Sequence, residues 1–307
     1  MKRFCGSTLV ILIVSIAAPL QAANINDASL QSLYHRLLTA SEQTQPYPVS
    51  TQEQIQYPLF GAFTQLRRAD NGHFNSYSNA TLIAQSRCHV LAATAGHSLL
   101  DPVRGYPVSL SRIELRLPSG AWIKPVEKHH PKTLNPESRE YSDWALLVLP
   151  KPDCPPISSS RTSWYALPSL RIEPVTEELF ETCQSRVEMI CYHPDNGSKG
   201  IKATLMREAG CTIDAPREHG EPAVALTSCK QSLGVSGCAV SCSVDGTVLS
   251  LGIFTQGLRP SGSASVQQKV GAFRLMNGEL WQAIRAIMKR YGMRSGPIQG
   301  PIKKAPQ

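Results

Sequence analysis

His97, Asp143 and Ser236 are a base, an acid and a hydroxyl that follow one another along the chain in that order. A serine hydroxyl is too weak an acid to attack at neutral pH, so it needs a neighbouring base and a group that orients the base. In such a set His97 would take the Ser236 proton and return it to a leaving group. Asp143 would hold the imidazole in one tautomer and stabilise the imidazolium. The local sequences suit these roles. His97 ends Val90-Leu91-Ala92-Ala93-Thr94-Ala95-Gly96, an apolar strand running into a small-residue turn. Asp143 opens Trp144-Ala145-Leu146-Leu147-Val148-Leu149, a polar residue at the mouth of a buried strand. Ser236 lies in Gly234-Val235-Ser236-Gly237. The backbone N–H groups of Gly234 and Ser236 would stabilise a developing oxyanion, and Gly234 lets the backbone turn there. Taken singly, each residue has a plain structural reading, as a core histidine, a turn aspartate or a tight turn. The joint pattern is what points to nucleophilic acyl transfer. It also differs from the G-x-S-x-G elbow, in which the serine precedes its acid and histidine.

Short strands have to carry these residues. Leu59 to Leu66, Asn79 to Ile83, Cys88 to Ala93, Ile113 to Leu117 and Asp143 to Leu149 are rich in apolar or β-branched residues and separated by turn clusters. A second set covers Val187 to Tyr192, Ile201 to Arg207, Ala223 to Ser228, Cys238 to Val244 and Thr247 to Thr255. Asp245-Gly246 is a two-residue hairpin signal. Leu280, Trp281, Ile284, Ile287, Met288 and Tyr291 trace one face of a C-terminal helix. The expected fold is all-β: two antiparallel six-stranded-type β-barrels side by side, with a C-terminal helix. The first barrel spans 51–150 and supplies His97 and Asp143. A Pro- and Ser-rich connector covers 151–174, the second barrel 175–275 supplies Ser236, the helix covers 276–292, and a disordered tail covers 293–307.

Residues 1–23 have the layout of a secretory signal peptide, with Lys2 and Arg3, a short apolar run and small residues at Ala22-Ala23. Residues 24–50 read as an N-terminal helix, with Leu30, Leu33, Tyr34, Leu37 and Leu38 at helical spacing, or as a leader removed later. A secreted or periplasmic location follows, with no membrane span after signal removal. Once Cys5 leaves with the signal, eight cysteines remain, an even number that suits disulfides. Their connectivity stays open, local pairs such as Cys183 with Cys191 included. No C-x-x-C pair has zinc spacing, so neither a metal nor another cofactor is expected. The 307 residues, 42% hydrophobic and 18% charged, suit a globular protein. The net charge of +8 is scattered without the aromatic-interleaved stripe of a nucleic-acid binder, which excludes that class. A monomer is expected.

From residue 58 to about residue 290 the chain resembles the chymotrypsin-like (trypsin-fold) serine proteases, in particular the exported bacterial branch that includes glutamyl endopeptidases. The resemblance rests on Asn79-Ala80-Thr81-Leu82-Ile83, Thr94-Ala95-Gly96-His97, Asp143-Trp144-Ala145-Leu146-Leu147, Tyr192-His193-Pro194, Gly234-Val235-Ser236-Gly237 and Gly252 to Gly257. It implies a serine endopeptidase acting on polypeptides through an acyl-enzyme. A catalytically silent relative that binds a partner through the same cleft is the alternative; an esterase on the same scaffold is a third reading. By the resemblance, Lys230 stands at the base of the primary specificity pocket, bordered by Phe254, Thr255, Gln256 and Gly257. Three departures stand out: Val235 replaces the acid that pairs with a new amino terminus, Ser98 replaces a cysteine, and Cys238 replaces a glycine.

Overall fold

The apolar runs 90–94 and 145–149 are buried on both faces, and side-chain alternation divides them between two cores. Val90, Ala92, Ala145, Leu147 and Leu149 fill one core, whereas Leu91, Ala93, Leu146 and Val148 fill the other. A strand sandwiched in this way has no polar face, which is why the sequence reads there as a continuous apolar stretch.

The computed structural model describes residues 28–70, 73–101, 104–131, 143–151, 154, 167–194, 203–215, 223–230, 234–258 and 270–296. The signal segment 1–23, most of the connector and the end of the tail lie outside the described residues. An N-terminal arm comes first: α1 (Ala28–Ser41), β1 (Tyr47–Pro48) and α2 (Thr51–Gln56). Ser50 and Glu53 form a capping box at the start of α2. Next come β2 (Phe63–Asp70), β3 (His73–Gln85), β4 (His89–Thr94), β5 (Ile113–Arg116), β6 (Trp122–Ile123), β7 (Glu127–His129) and β8 (Ala145–Pro150). They form one sheet in the order β6-β5-β2-β3-β4-β8-β7. The second sheet draws on β9 (Arg171–Ile172), β10 (Val187–Pro194), β11 (Ala203–Cys211), β12 (Ile213–Asp214) and β13 (Val224–Thr227). It is completed by β14 (Ala239–Val244), β15 (Thr247–Leu258) and β16 (Val270–Leu275), and α3 (Glu177–Cys183) lies between β9 and β10. Its order is β1-β11-β10-β14-β15-β16-β13-β12, with β9 beside β15. Every pairing is antiparallel except that of β9 with β15. The all-β, two-barrel fold expected from the sequence is therefore the fold observed.

Both chain ends cross over. The arm belongs to the second barrel: Leu33, Tyr34 and Leu37 of α1 pack with Leu226, Val270 and Ala272, and β1 pairs with β11. The C-terminal helix α4 (Gly278–Tyr291) buries Leu280, Ile284 and Ile287 and stops at Gly292, whose φ of 59° suits glycine. Its end reaches the first barrel, where the Tyr291 hydroxyl donates to Glu127 Oε2 at 2.5 Å. Beyond it β17 (Arg294–Ser295) pairs with β3, so the start of the expected tail is ordered against the first sheet.

Four disulfides join Cys88–Cys154, Cys183–Cys242, Cys191–Cys238 and Cys211–Cys229. The local pair Cys183–Cys191 raised by the sequence is not formed. Register explains the outcome: β10 runs antiparallel to β14 with Ile190 opposite Ala239, which brings Cys191 beside Cys238 and leaves Cys183 to Cys242.

Candidate active site

Strands β4 and β8 are paired with Thr94 opposite Ala145. His97 leaves this pair three residues beyond Thr94, at the same end where Asp143 enters two residues before Ala145. The antiparallel register therefore makes the two neighbours, although 46 residues separate them. His97 sits in the short 3₁₀ turn Gly96–Leu99. Asp143 is 4% exposed, whereas the His97 side chain is 36% exposed and open to an incoming molecule.

His97 Nδ1 lies 2.7 Å from Asp143 Oδ2, and Nε2 lies 2.9 Å from Ser236 Oγ. With Nδ1–H donating to the carboxylate, Nε2 is left as the acceptor for the serine proton. Asp143 Oδ1 also accepts the backbone N–H of His97 at 2.7 Å, so both carboxylate oxygens act on the same residue. The Ser236 hydroxyl lies 3.4 Å from the Thr255 carbonyl as a second acceptor. The structure thus brings together all three residues singled out by sequence.

The turn around Ser236 is held by its peptide groups. The Ser236 carbonyl accepts from Asn79 N–H, and the next N–H, of Gly237, donates to the Phe254 carbonyl, each at 2.8 Å. Gly237 has a φ of 88°, and a Cβ there would run into the Asn79 carbonyl oxygen and lie 2.5 Å from Thr94 Oγ1. Glycine is required at that point. The N–H of Cys238 donates to the Val235 carbonyl at 3.2 Å. In a trans peptide N–H and C=O point in opposite directions, so the Ser236 N–H faces away from that bond. Among the described residues the N–H groups of Gly234 and Ser236 make no hydrogen bond. Neither is taken up by another described group, which leaves both available for the oxyanion role expected from the sequence. Val235 is 2% exposed and packs in the second core, where an ion-pairing acid would have no apolar role.

The residues assigned to the substrate pocket are placed differently from one another. Phe254 is buried opposite Phe273 and belongs to the core. Thr255 is buried as well and turns its hydroxyl to the Ala272 carbonyl at 3.1 Å. A register shift between Phe254 and Gln256 marks a bulge next to Ser236. Gln256 pairs with Ala272, and Gly257 pairs with Gly271 at the cleft end of β15. The Lys230 ammonium donates to the Thr44 carbonyl of the arm. The Lys230 backbone N–H donates to Glu208 Oε2 at 2.6 Å, and Thr44 Oγ1 donates to Glu208 Oε1 at 2.6 Å. Burial pushes the Glu208 carboxyl above its ordinary range, opposed by these hydrogen bonds and by the Lys230 charge. Glu208 also stands near Cys211 and Cys229, the one grouping of ligand-type side chains among the described residues, but the two sulfurs are tied in a disulfide.

Sequence reasoning passed over Asn79, Thr44 and Glu208. A partial signal existed in Asn79, an amide where the resembling strand carries serine.

No protein-family model and no curated protein sequence matches this chain. Solved structures do match it in fold. The crystal structure of the protease Anisep from Arthrobacter nicotinovorans aligns with a TM-score of 0.51 at 11% identity, covering 75% of this chain and 95% of that one. A structure of Glu endopeptidase in complex with MPD aligns with a TM-score of 0.52 at 15% identity, covering 80% of this chain and 96% of that one. At these identities the likeness establishes the fold: that of the trypsin-like serine proteases.

Proposed function

We propose that this chain is an exported serine endopeptidase that hydrolyses polypeptides through an acyl-enzyme. The observation that carries the reading is the unbroken line from Asp143 Oδ2 through His97 to Ser236 Oγ, with bonds of 2.7 and 2.9 Å. Such a line removes a hydroxyl proton while the nucleophile attacks. Ser236 Oγ would add to the scissile carbonyl carbon as its proton passes to His97 Nε2. The oxyanion would be received by the N–H groups of Gly234 and Ser236. The C–N bond then breaks, the departing amine takes the proton from Nε2, and an ester to Ser236 remains. A water molecule, deprotonated by His97 in turn, hydrolyses that ester and restores the hydroxyl. The likeness to an Arthrobacter protease and to a Glu endopeptidase agrees with this reaction class.

Export is supported by the signal-type layout of residues 1–23 and by four disulfides, which persist in oxidising compartments. Among the described residues no helix is long and apolar enough to cross a membrane. The deciding experiment is labelling of the purified protein with a fluorophosphonate probe, followed by peptide mapping. Modification at Ser236, lost in a folded Ser236→Ala variant along with casein hydrolysis, is the expected result. Near-normal proteolysis by Ser236→Ala would show that the triad assignment is wrong.

A further inference from the structure

Asn79 is 2% exposed, at the boundary between the two barrels, and each of its polar groups is engaged. Its backbone N–H donates to the Ser236 carbonyl at 2.8 Å. Its carbonyl accepts from Thr94 Oγ1 at 2.6 Å, three residues before His97. The side chain does something separate. Nδ2 donates to the Gly234 carbonyl at 2.7 Å and to the Tyr192 carbonyl at 3.1 Å, while Oδ1 accepts the Tyr192 N–H at 2.8 Å. Two carbonyls and one N–H fix which end of the amide is which, because the flipped amide would set oxygen against oxygen.

Gly234 is the residue that most needs such a partner. Its φ is 89°, in the region that favours glycine, and without a Cβ nothing in its own side chain resists rotation of the adjoining peptides. The peptide between Ser236 and Gly237 is held at both ends, by Asn79 and by Phe254. The peptide between Gly234 and Val235 is held at its carbonyl by the Asn79 side chain. The Gly234 N–H lies on the preceding peptide but shares the Gly234 Cα with this carbonyl, so loss of the anchor would let that Cα shift and take the N–H, one of the two proposed oxyanion donors, out of line.

We infer that the Asn79 side chain is a positioning residue for the oxyanion site, setting the Gly234 N–H by anchoring the Gly234 carbonyl across the barrel boundary. The inference rests on the hydrolase reading above. It touches neither substrate nor Ser236 Oγ. A donor displaced by a fraction of an ångström stabilises the transition state less while leaving the ground-state complex nearly unchanged, so the effect falls on kcat.

Two variants test this. Asn79→Ala removes the side-chain anchor. Asn79→Asp keeps the size and the acceptor for Tyr192 but loses the donor and sets a carboxylate against two carbonyls. Each is compared with the parent for fluorophosphonate labelling rate, kcat and KM on a peptide substrate, affinity for a peptide boronate, and cooperative thermal unfolding. The expected result is a kcat lower by about 10- to 100-fold with KM within about twofold. Boronate affinity and labelling rate should fall in parallel with kcat, with Asn79→Asp the weaker enzyme. Unchanged kcat in a folded variant, or a loss confined to KM, would overturn the inference. Failure of both variants to fold would also overturn it, assigning Asn79 to stability alone. An unreactive parent protein would instead refute the hydrolase reading itself, so the two failures are told apart.

Discussion

Asp143 meets His97 twice, once at the backbone N–H and once at Nδ1, each at 2.7 Å. One oxygen fixes where the histidine sits and the other fixes which way its ring and proton face. The two functions separate on substitution. Asp143→Asn keeps an oxygen for one contact but offers an amide to the other. If the oxygen stays on the backbone N–H, the amide nitrogen faces Nδ1 and favours the tautomer with the proton on Nε2. That tautomer cannot accept from Ser236. Turnover should fall by about 10,000-fold with little change in thermal midpoint. A drop below about tenfold in steady-state kcat would remove Asp143 from the catalytic line.

Cys238 lies two residues after Ser236, where the resembling proteases carry glycine, and its disulfide to Cys191 spans 47 residues. A crosslink closing a loop of that size stabilises by about 4 kcal/mol in the chain-entropy view. Ser236 itself is placed by peptide hydrogen bonds to Asn79 and Phe254 that do not involve the sulfur atoms. Replacing both Cys191 and Cys238 with Ala should therefore lower unfolding stability by about 2–4 kcal/mol while kcat at 25 °C stays within about threefold. Chemical denaturation and steady-state kinetics on the double variant check both halves. A collapse of kcat in a still-folded protein would make the disulfide part of the catalytic machinery.

The catalytic constellation was legible because its surroundings obey simple periodicities. Strands β4 and β8 are apolar on both faces, and Asp245-Gly246 turns with φ of 48° and 74°, the conformation its residue types favour. What escaped was held by partners distant in sequence. β6 and β7 have only two and three residues, half-buried and partly charged, with no alternation to read. Within residues 24–50, read as a helix or a leader, Tyr47–Pro48 instead adds an edge strand to the second sheet. The Cys191–Cys238 and Cys183–Cys242 pairings follow from the β10–β14 register, which no spacing rule encodes. Asn79 reaches Tyr192 and Gly234 across more than a hundred residues, so its role required the docked barrels.

Lys151 supplies a pH signature independent of the active site. Its ammonium is buried and donates to Gln85 Oε1 at 2.7 Å, and burial lowers its pKa from 10.5 to about 8. The folded state thus releases this proton before the unfolded state does. Between about pH 8 and 10.5 the unfolded chain binds more protons, so this residue makes stability rise with pH across that window. Below about pH 8 the lysine is charged in both states and its cost is constant. Lys151→Met should abolish the rise. Urea unfolding of parent and variant at intervals from pH 7 to pH 10 should show the stability difference shifting toward the parent as pH increases. Parallel curves would mean the ammonium is better solvated than its burial implies.

Lys230 bears on what the cleft accepts. In the resembling proteases the residue at this position governs attraction for a charged substrate side chain. Here the ammonium is bound to the Thr44 carbonyl, with the Glu208 carboxylate close by. A substrate Arg or Lys would find no free acid to pair with there, because the Glu208 carboxyl already accepts from Thr44 Oγ1 and the Lys230 backbone N–H, and an unpaired buried charge is costly. A substrate glutamate gains little either, because the Lys230 ammonium is committed to the arm and Phe254 is packed in the core. Cleavage should therefore favour uncharged residues on the acyl side of the scissile bond. Lys230→Met should leave that ranking unchanged while lowering stability by about 1–3 kcal/mol, since Glu208 loses its neighbouring cation. Mass-spectrometric profiling of a mixed peptide library with parent and variant checks this. Dominant cutting after Arg or Lys by the parent would sink the assignment, and a new preference for basic residues in Lys230→Met would show that the cation had been guarding the pocket directly.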